Sequence, residues 1–450
     1  MPGIDTRHFL RRGSNSLDNY NEALNFISSR GKFKKSPTLN RMKLFLKMLG
    51  NPQNHIKAIH IAGTNGKGST LTFLRNMLEA QGLTVGTFTS PYLIKFNERI
   101  SVDGKPVSDN EILNLAQTVE PIVKELDRSL KEGGPTEFEV DTAMMFKYFA
   151  KHQVDIVLVE VGIGGLYDST NVFTPECSVI TTIGYDHMKL LGNTLPKIAF
   201  QKAGIIKTDI PVVVGKINLA PLNVIKKVAK QHHSKIIIRG FDYKVQPKHS
   251  SDWQERFSFI SKSLKLDSAK INMLGQFQID NAATAIAAFI QFLKINHYHI
   301  EPNVILKGLK NTFWAGRFER INNSPLIVID GAHNVPAINE LDILFKKRFN
   351  KREIYIILAI LADKQFQLMI KNLLKIKNVH LILTEFNGPG KRPVANLDQL
   401  YEHSNHKSRI DYVSNWHRAF AETITKISDD DLLLFTGSLY FISDVRKFFN

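Results

Sequence analysis

Short apolar runs alternate along the chain with longer segments in which apolar residues recur at helical spacing. Buried strands are predicted at 56–62, 155–161 and 178–183. Helices are predicted at 19–29, 39–49, 71–80, 111–131 and 136–152. Strands that alternate with helices favour a mostly parallel sheet, whose ligands gather at the carboxyl ends of the strands. The pattern therefore predicts an α/β fold.

A second α/β set follows in the last third of the chain. Its predicted strands lie at 326–329, 354–360, 379–384 and 432–435, and each ends in polar or glycine residues. A basic segment at 244–270, for which no strand is predicted, and an alanine-rich helix precede this set. We place the boundary near 311–314, which predicts a first domain at 1–311 and a smaller, Rossmann-like domain at 312–450.

Composition supports a globular protein of this size. The 450 residues are 43% hydrophobic and too many for one core. The single cysteine, Cys177, excludes a disulfide framework and cysteine-built zinc sites. No apolar run approaches the roughly 20 residues of a membrane helix, and the polar start at 1–5 has no signal-peptide core. A cytoplasmic protein with no membrane partner is expected.

The formal net charge of +17 is compatible with three kinds of partner: nucleic acid, a membrane surface or a polyanionic small molecule. The lysines are scattered along the chain instead of gathered in one block. A lysine- and asparagine-rich proteome would give the same composition without any such partner. Charge alone therefore leaves these alternatives open.

The segment 59–70 combines a strand end, a glycine loop and a helix start. Its glycines let backbone N–H groups turn towards one anion, and Lys67 adds a point charge for outer phosphates. The strict phosphate-loop pattern is not met, because Ile61 replaces its first glycine and Gly68 takes the hydroxyl position before Ser69. A lysine directly after a glycine at a helix start still favours nucleotide binding over a structural turn.

Polar side chains at other strand ends are candidates for the same site. Glu160 ends an apolar strand, where nucleotide enzymes place a magnesium ligand, although an edge glutamate facing water is the alternative. Asp186 and His187 follow the next strand, and Ser90 precedes a proline that holds it out of helical geometry. Lys202, just before a glycine that closes a helix, is by itself interpreted as a solvated lysine.

Ten short motifs occur in a fixed order: Gly63-Thr-Asn-Gly-Lys-Gly-Ser, Thr89-Ser-Pro, Phe96-Asn-Glu-Arg-Ile, Glu160-Val-Gly-Ile-Gly-Gly, Asp168-Ser-Thr-Asn, Asp186-His, Lys202-Ala-Gly-Ile, Trp314-Ala-Gly-Arg-Phe-Glu, Asp330-Gly-Ala-His-Asn and Thr436-Gly-Ser-Leu-Tyr. Together they resemble the folylpolyglutamate synthase family of the Mur ligase superfamily, in which dihydrofolate synthase activity is often combined. The resemblance implies a phosphate-loop-type first domain similar to the Mur ligase central domain.

The resemblance also implies roles for particular residues. The implied ATP-binding residues are Gly63, Thr64, Asn65, Gly66, Lys67, Gly68, Ser69, Asn281, Arg317 and Asp330. The implied magnesium ligands are Ser90, Glu160 and His187. The implied folate-binding residues are Thr136, Glu137, Phe138, Glu139, Tyr167, Asp168 and Ser169, and His333 and Ser438 are candidates for the incoming glutamate. Lys67, His187 and Lys202 are the implied catalytic residues, with Lys202 carbamylated.

The implied reaction is ATP-dependent. ATP phosphorylates the terminal carboxylate of a tetrahydrofolate or its polyglutamate, and the amine of L-glutamate then displaces phosphate. Two Mg²⁺ ions are expected, a monovalent cation such as K⁺ is left open, and a monomer is expected. One alternative is a bifunctional enzyme that also acts on dihydropteroate. The other, a nucleic-acid-dependent ATPase, is favoured only by charge and the phosphate loop, because helicase-like motifs and an aromatic-basic stacking face are missing.

Overall fold

The computed structural model describes residues 17–31, 38–250, 253–388, 393–402 and 407–449. The polar start of the chain, on which the expected absence of a signal peptide rests, lies outside these residues. Within the described ranges, no helix is both long enough and apolar enough to cross a bilayer.

The described residues form alternating strands and helices, with ends displaced from the predicted ones by a few residues. The strands are β1 (Ala58–Ala62), β2 (Val85–Phe88), β3 (Ile100–Val102), β4 (Lys105–Pro106), β5 (Ile156–Glu160), β6 (Cys177–Ile180), β7 (Val212–Val214), β8 (Ile236–Ile238), β9 (Tyr243–Lys248), β10 (Glu255–Ser261), β11 (Lys265–Ile271), β12 (Glu319–Asn323), β13 (Leu326–Ile329), β14 (Ile354–Leu358), β15 (Val379–Glu385), β16 (Ile410–Asn415) and β17 (Leu432–Thr436). The helices are α1 (Tyr20–Ser28), α2 (Asn40–Met48), α3 (Lys67–Ala80), α4 (Asp109–Ser129), α5 (Glu137–Lys151), α6 (Met188–Leu191), α7 (Leu195–Ala203), α8 (Leu219–Gln231), α9 (Gln276–Ile295), α10 (Pro302–Asn311), α11 (Val335–Arg348), α12 (Phe366–Leu373), α13 (Asp398–Glu402), α14 (Trp416–Ile424) and α15 (Leu439–Phe449).

The first large sheet has eight strands in the order β4-β3-β2-β5-β1-β6-β7-β8. The six strands from β2 to β8 in this order are parallel, and β3 and β4 are antiparallel additions at one edge. The central strand β1 places Ile61 opposite both Glu160 and Val179. The carboxyl ends of β1, β5 and β6 therefore meet at one edge, as the alternating pattern predicts.

Helices cover both faces of this sheet. On one face, α3 and α9 form a core with β1, β5 and β6, and nearly all of α9 is buried. On the other face, α2, α4 and α5 pack against one half of the sheet, and α7 and α8 pack against the other half. The small side chains of Ala282, Ala283 and Ala285 allow close packing around α9, so the alanine-rich sequence is explained by burial.

The segment at 244–270, for which no strand was predicted, lies mostly in a three-stranded antiparallel sheet of β9, β10 and β11. Phe257, Phe259 and Leu266 point into the core beside α9, whereas Lys265 and Lys270 are exposed. This period of two is the pattern of a strand with one buried face. The sequence analysis did not identify this alternation, because the frequent lysines make the segment as a whole polar.

The second large sheet has six strands in the order β12-β13-β17-β14-β15-β16, all parallel except β12. Four of its strands were predicted, and β12 and β16 were not. Polar residues follow β13 and β17, where the site is formed. Helix α10 ends at Asn311 and β12 begins at Glu319. The proposed limits of the two domains, 1–311 and 312–450, stay a prediction.

Candidate functional site

The glycine loop after β1 is fixed by its neighbours in the first domain. The backbone N–H of Thr64 donates to the carbonyl of Thr182 at 2.9 Å, which ties the loop to the end of β6. Gly66 has a φ of +83°, and a Cβ there would lie 2.3 Å from the side-chain oxygen of Asn281 on α9. Glycine is required at this position for both reasons. Contacts within the first domain therefore fix the position of the loop.

The departure of Gly68 from the phosphate-loop pattern has a steric explanation. A Cβ at Gly68 would lie 3.1 Å from Nε1 of Trp314, which approaches the first turn of α3 from the chain segment before β12. A hydroxyl-bearing side chain here would press on the indole, which would have to shift by a few tenths of an ångström. Ser69, the next hydroxyl in the sequence, is buried in the same turn.

Two lysines converge on this loop. Nζ of Lys67 donates to the carbonyl of Gly63 at 3.3 Å, and Nζ of Lys202 donates to the same carbonyl at 3.0 Å. Lys202 is only 4% exposed, so its interpretation as a solvated lysine is wrong. Burial, and secondarily the charge of Lys67, lowers the pKa of Lys202 to about 7. Lys202 is therefore partly neutral near pH 7.

Glu160 ends β5 beside these lysines and is buried, which excludes the alternative of an edge glutamate facing water. Its Oε2 accepts from the backbone N–H of Ser90 at 3.2 Å, and its Oε1 lies 3.9 Å from Nζ of Lys67. Burial raises the pKa of Glu160, and Lys67 opposes that shift. A cation near Glu160 would favour the ionised carboxylate further.

The residues implied as magnesium ligands line one cavity, to which Ser90, Glu160 and His187 all contribute. Burial lowers the pKa of His187 to about 4, so its imidazole is neutral and has a free lone pair at neutral pH. Among the described residues, no group of three histidine, cysteine or acidic side chains could hold a metal ion. The set fits Mg²⁺ only with phosphate and water oxygens as further ligands, which is how Mg²⁺ commonly binds.

The second domain closes the cavity from the opposite side. Asp330, after β13, accepts from the backbone N–H groups of Phe318 at 2.8 Å and Ala332 at 2.9 Å. The half-buried Arg317 lies between this carboxylate and the first domain, and burial lowers its pKa against the effects of Asp330 and Glu160. The resulting cavity has a volume of about 390 Å³. It is lined by all ten residues implied for ATP: Gly63, Thr64, Asn65, Gly66, Lys67, Gly68, Ser69, Asn281, Arg317 and Asp330.

Hydrogen bonds and an ion pair join the two domains beside this cavity. Nζ of Lys364 lies 2.7 Å from Oδ1 of Asp186, and Asn334 donates to Oδ2 of Asp186 at 3.0 Å. The amides of Asn334 and Asn65 exchange hydrogen bonds of 2.9 and 3.0 Å. Although burial opposes it, Lys364 holds the pKa of Asp186 below its usual value. Lys364 and Asn334 were not singled out from the sequence, although both follow predicted strands of the second sheet.

A second cavity of about 580 Å³ adjoins the first. It is lined by six of the residues implied for folate and by both residues implied for glutamate: Thr136, Glu137, Phe138, Tyr167, Asp168, Ser169, His333 and Ser438. Glu139 does not line it. Its Oε2 accepts from the backbone N–H of Thr136 at 2.9 Å and lies 2.7 Å from Arg41, because it caps the start of α5. The structure therefore gives Glu139 a structural position away from this cavity.

Comparison of the sequence with protein-family models and with known proteins identifies the family to which this chain belongs. The Mur ligase middle domain matches residues 61–289, and the Mur ligase glutamate ligase domain matches residues 316–439. The chain is 41% identical to the dihydrofolate synthase/folylpolyglutamate synthase of Bacillus subtilis, over 95% of this chain and 98% of that protein. It is 36% identical to the folylpolyglutamate synthase of Lacticaseibacillus casei, over the same two shares. The chain belongs to the folylpolyglutamate synthase/dihydrofolate synthase family of Mur ligases.

Solved structures agree with this family and with the two-domain α/β fold. A folylpolyglutamate synthase complex with AMPPCP and folate is 36% identical, with a TM-score of 0.84, and is matched over 96% of this chain and 99% of that chain. The Mycobacterium tuberculosis folylpolyglutamate synthase with ADP and AMPPCP is 26% identical, with a TM-score of 0.88, over 97% and 99%. The family expected from the ten motifs is thereby confirmed.

In this family member, an ion pair that was not assigned from the sequence also lines the second cavity. Arg99 and Asp141 both line it, with Nε of Arg99 3.4 Å from Oδ2 of Asp141. Asp141 lies one turn after Glu137 on α5 and is only 2% exposed. Burial raises its pKa to about 7, and Arg99 opposes the shift. The available signal was an acidic residue within an otherwise apolar part of a helix.

We expect Asp141 to make stability depend on pH. Because its pKa in the folded state is above the ordinary value of 3.8, the ionised carboxylate costs stability. That cost grows as the pH rises above about 4 and is complete above about 7. Asp141→Asn should therefore raise the free energy of unfolding more at pH 8 than at pH 5, by about 1 to 3 kcal/mol.

Urea unfolding of both proteins at the two pH values measures this difference. The matched control is Ser268→Ala, since Ser268 is exposed on β11 and carries no ionisable side chain, and it should give the same change at both pH values. An equal effect of Asp141→Asn at pH 5 and pH 8 would show that Asp141 ionises normally in the folded protein.

Proposed function

We propose that the chain is an ATP-dependent ligase that joins the amine of L-glutamate to the γ-carboxylate of a folate or folylpolyglutamate. One observation carries this proposal. The phosphate-loop cavity and the second cavity adjoin each other, and Ser90, His187 and His333 line both. An acid bound in the second cavity can thus present its carboxylate to the outer phosphate of ATP.

The relatives support the same reaction. Two curated relatives of nearly full overlap bear the name folylpolyglutamate synthase, and one solved neighbour holds an ATP analogue together with folate. Both the Mur ligase middle domain and the glutamate ligase domain are matched in this chain, at residues 61–289 and 316–439. A nucleic-acid-dependent ATPase would need no second cavity beside the phosphates.

In the proposed reaction, a carboxylate oxygen of the folate attacks the γ-phosphorus of ATP and ADP leaves. The amine of glutamate then attacks the acyl carbon, and phosphate leaves from the tetrahedral intermediate with loss of a proton from nitrogen. Lys67, Arg317 and the N-terminus of α3 stabilise charge on the transferred phosphate. No protein nucleophile is needed, because alignment and charge neutralisation supply the rate.

Ser90, Glu160 and His187 would hold Mg²⁺ in this reaction. When bound, Mg²⁺ neutralises charge on the ATP phosphates and aligns them with the attacking carboxylate. The neutral imidazole of His187 and the carboxylate of Glu160 suit this role, and Lys67 stays beside them as a fixed cation. A second Mg²⁺ and a monovalent cation such as K⁺ stay predictions, as do a monomeric state and the absence of nucleic-acid partners.

His333 is suited to receive the incoming glutamate. Its Nδ1 lies 2.8 Å from the carbonyl of Gly331, so Nδ1 carries the hydrogen and Nε2 can accept one. Burial lowers the pKa of His333 to about 4, which keeps Nε2 unprotonated near neutral pH. Nε2 can therefore accept a hydrogen bond from the attacking amine. The buried Ser438 lies on the same cavity wall and would bind a glutamate carboxylate.

A second candidate function is dihydrofolate synthase. It is favoured by relatives that carry this name, such as the combined enzyme of Bacillus subtilis and the dihydrofolate synthetase of Saccharomyces cerevisiae, which is 32% identical over 78% of this chain. In that reaction, the first glutamate would be joined to dihydropteroate. The same two cavities would serve both acceptors, so substrate assays must separate the functions.

The assay for function compares two acceptors at saturating ATP and L-glutamate. We expect ADP release with tetrahydrofolate monoglutamate, no response to added RNA or DNA, and a rate about 10² to 10³ lower in Lys67→Ala. Lys47→Ala, at an exposed position on α2, is the control and should keep the wild-type rate. Equal turnover with dihydropteroate would establish the second candidate. ADP release that ignores both acceptors would refute ligation.

The magnesium assignment predicts that Glu160→Gln raises the Mg²⁺ concentration for half-maximal activity at least tenfold, because the substitution removes a negative charge from a hard-cation site. His187→Ala should cause a similar rise. Titration of activity with Mg²⁺ at fixed free ATP measures both effects. If neither variant changes the Mg²⁺ dependence, these residues do not hold the metal.

Lys202 is expected to be carbamylated, since its buried amine is partly neutral at pH 7. Nζ would attack CO₂ and lose a proton, leaving an anion beside Lys67 instead of a second cation. Lys202→Ala should be nearly inactive, and acetate or formate should restore part of its activity by occupying the vacated position. Lys230→Ala, at an exposed position, should show neither effect. Absence of rescue, with a bare amine in a crystal structure, would make Lys202 a structural residue.

A further inference from the structure

A groove of about 620 Å³ lies on the outer side of α7, between α6, α7 and α8. Leu190, Leu191 and Gln201 line both this groove and the substrate cavity, so the two spaces are neighbours. Phe200 and Lys202 on α7 lie on opposite sides of the helix, because Phe200 is exposed and Lys202 is buried at the phosphate loop. The groove thus lies on the solvent side of α7, next to the substrate cavity at Leu190, Leu191 and Gln201.

Large apolar side chains in the groove are exposed to solvent instead of being buried in a core. Phe200 is 51% exposed and Leu190 is 54% exposed, and both line the groove together with the half-buried Val224. Adjacent exposed apolar residues of this size often mark binding sites. An aromatic ring offers a flat face on which another ring can stack.

Positive charge surrounds this apolar surface. Lys197 and Lys227 line the groove, and Lys189 lines the adjoining substrate cavity; all three are exposed. Among the described residues that line the groove, none is acidic. The groove therefore suits a molecule with an aromatic part and several carboxylates.

The proposed polyglutamylation imposes a geometric requirement. The transfer point is fixed by the phosphate loop, whereas the distance between the aromatic head and the terminal carboxylate increases with each added glutamate. With a single position for the head, each added glutamate would have to loop out of the cavity. A second position for the head, adjoining the cavity, would let longer substrates bind extended.

We propose that the groove is a second binding position for the aromatic head of folates that carry several glutamates. The pteridine and benzoyl rings would stack on Phe200 and Leu190, and the α-carboxylates of the glutamyl linkages would lie near Lys189, Lys197 and Lys227. Short substrates keep their head in the cavity beside Phe138. This inference rests on the proposed function, because it assigns chain-length specificity to the same active site.

The test compares tetrahydrofolate monoglutamate with the triglutamate as acceptors for radiolabelled L-glutamate. Phe200→Ala should leave kcat/KM for the monoglutamate within about twofold and raise KM for the triglutamate about tenfold. Lys227→Ala should raise the triglutamate KM less, and only at low salt. Phe200→Tyr keeps the ring and should restore the wild-type KM. Products of Phe200→Ala should also carry fewer glutamates.

Phe448→Ala is the matched control, because Phe448 is also exposed but lies on α15 in the second domain. Thermal unfolding of every variant checks that the fold is intact. Equal effects on both acceptors, or no effect on either, would overturn the groove as a binding position. Failure of the wild-type protein to add glutamate to any folate would instead overturn the proposed function. A wild-type protein that uses only the monoglutamate would also overturn the groove.

Discussion

Positive charge held together away from water is the constraint on which the site depends. Lys67 and Lys202 donate to one carbonyl oxygen of Gly63, and Arg317 approaches from the other domain. The charge of Lys67 contributes to the lowered pKa of Lys202, which leaves that amine partly neutral and open to carbamylation, so Lys67 and Arg317 are the lasting cations. The hydrogen bond from Thr64 to Thr182 and the close approach of Asn281 to Gly66 hold the loop that carries Lys67. A polyanion that enters this space therefore meets charges already in place, which is the arrangement that stabilises phosphoryl transfer most effectively.

Neither domain completes the site alone. The first domain supplies the phosphate loop and Glu160, and the second supplies Arg317 and Asp330. The ion pair of Asp186 with Lys364, and the paired amides of Asn65 and Asn334, connect the strand ends of the two sheets directly. The site is therefore assembled only when the two domains pack against each other. Hinge closure over ATP, expected for a site shared in this way, would act through these same contacts.

The sequence analysis predicted β1, β5 and β6, the strands at the centre of the eight-stranded first sheet, together with most of the polar residues that follow them. These strands carry the clearest apolar runs, and because they are parallel their carboxyl ends meet at one edge. Burial of Lys202 was not predictable, since it depends on a loop 139 residues earlier in the sequence. Lys364 and Asp186 are separated by 178 residues, so their pairing was equally hidden. Glu139 was misassigned because its neighbours do line the cavity, whereas helix capping turns its own carboxylate inward. The strands at 243–271 were not predicted from the sequence, because lysines at many of their exposed positions hide the alternation of buried and exposed residues.

The missing side chain at Gly68 also has a mechanical consequence. Trp314 rests against the first turn of α3, and five residues later the chain enters β12 of the second domain. The first turn of α3 therefore has two roles. It follows the nucleotide-binding loop, and it contacts the chain segment that connects the two domains. A side chain at Gly68 would press on the indole and loosen this contact. The absence of a side chain at one helical position thus keeps the link between the domains packed directly against the turn that faces the nucleotide.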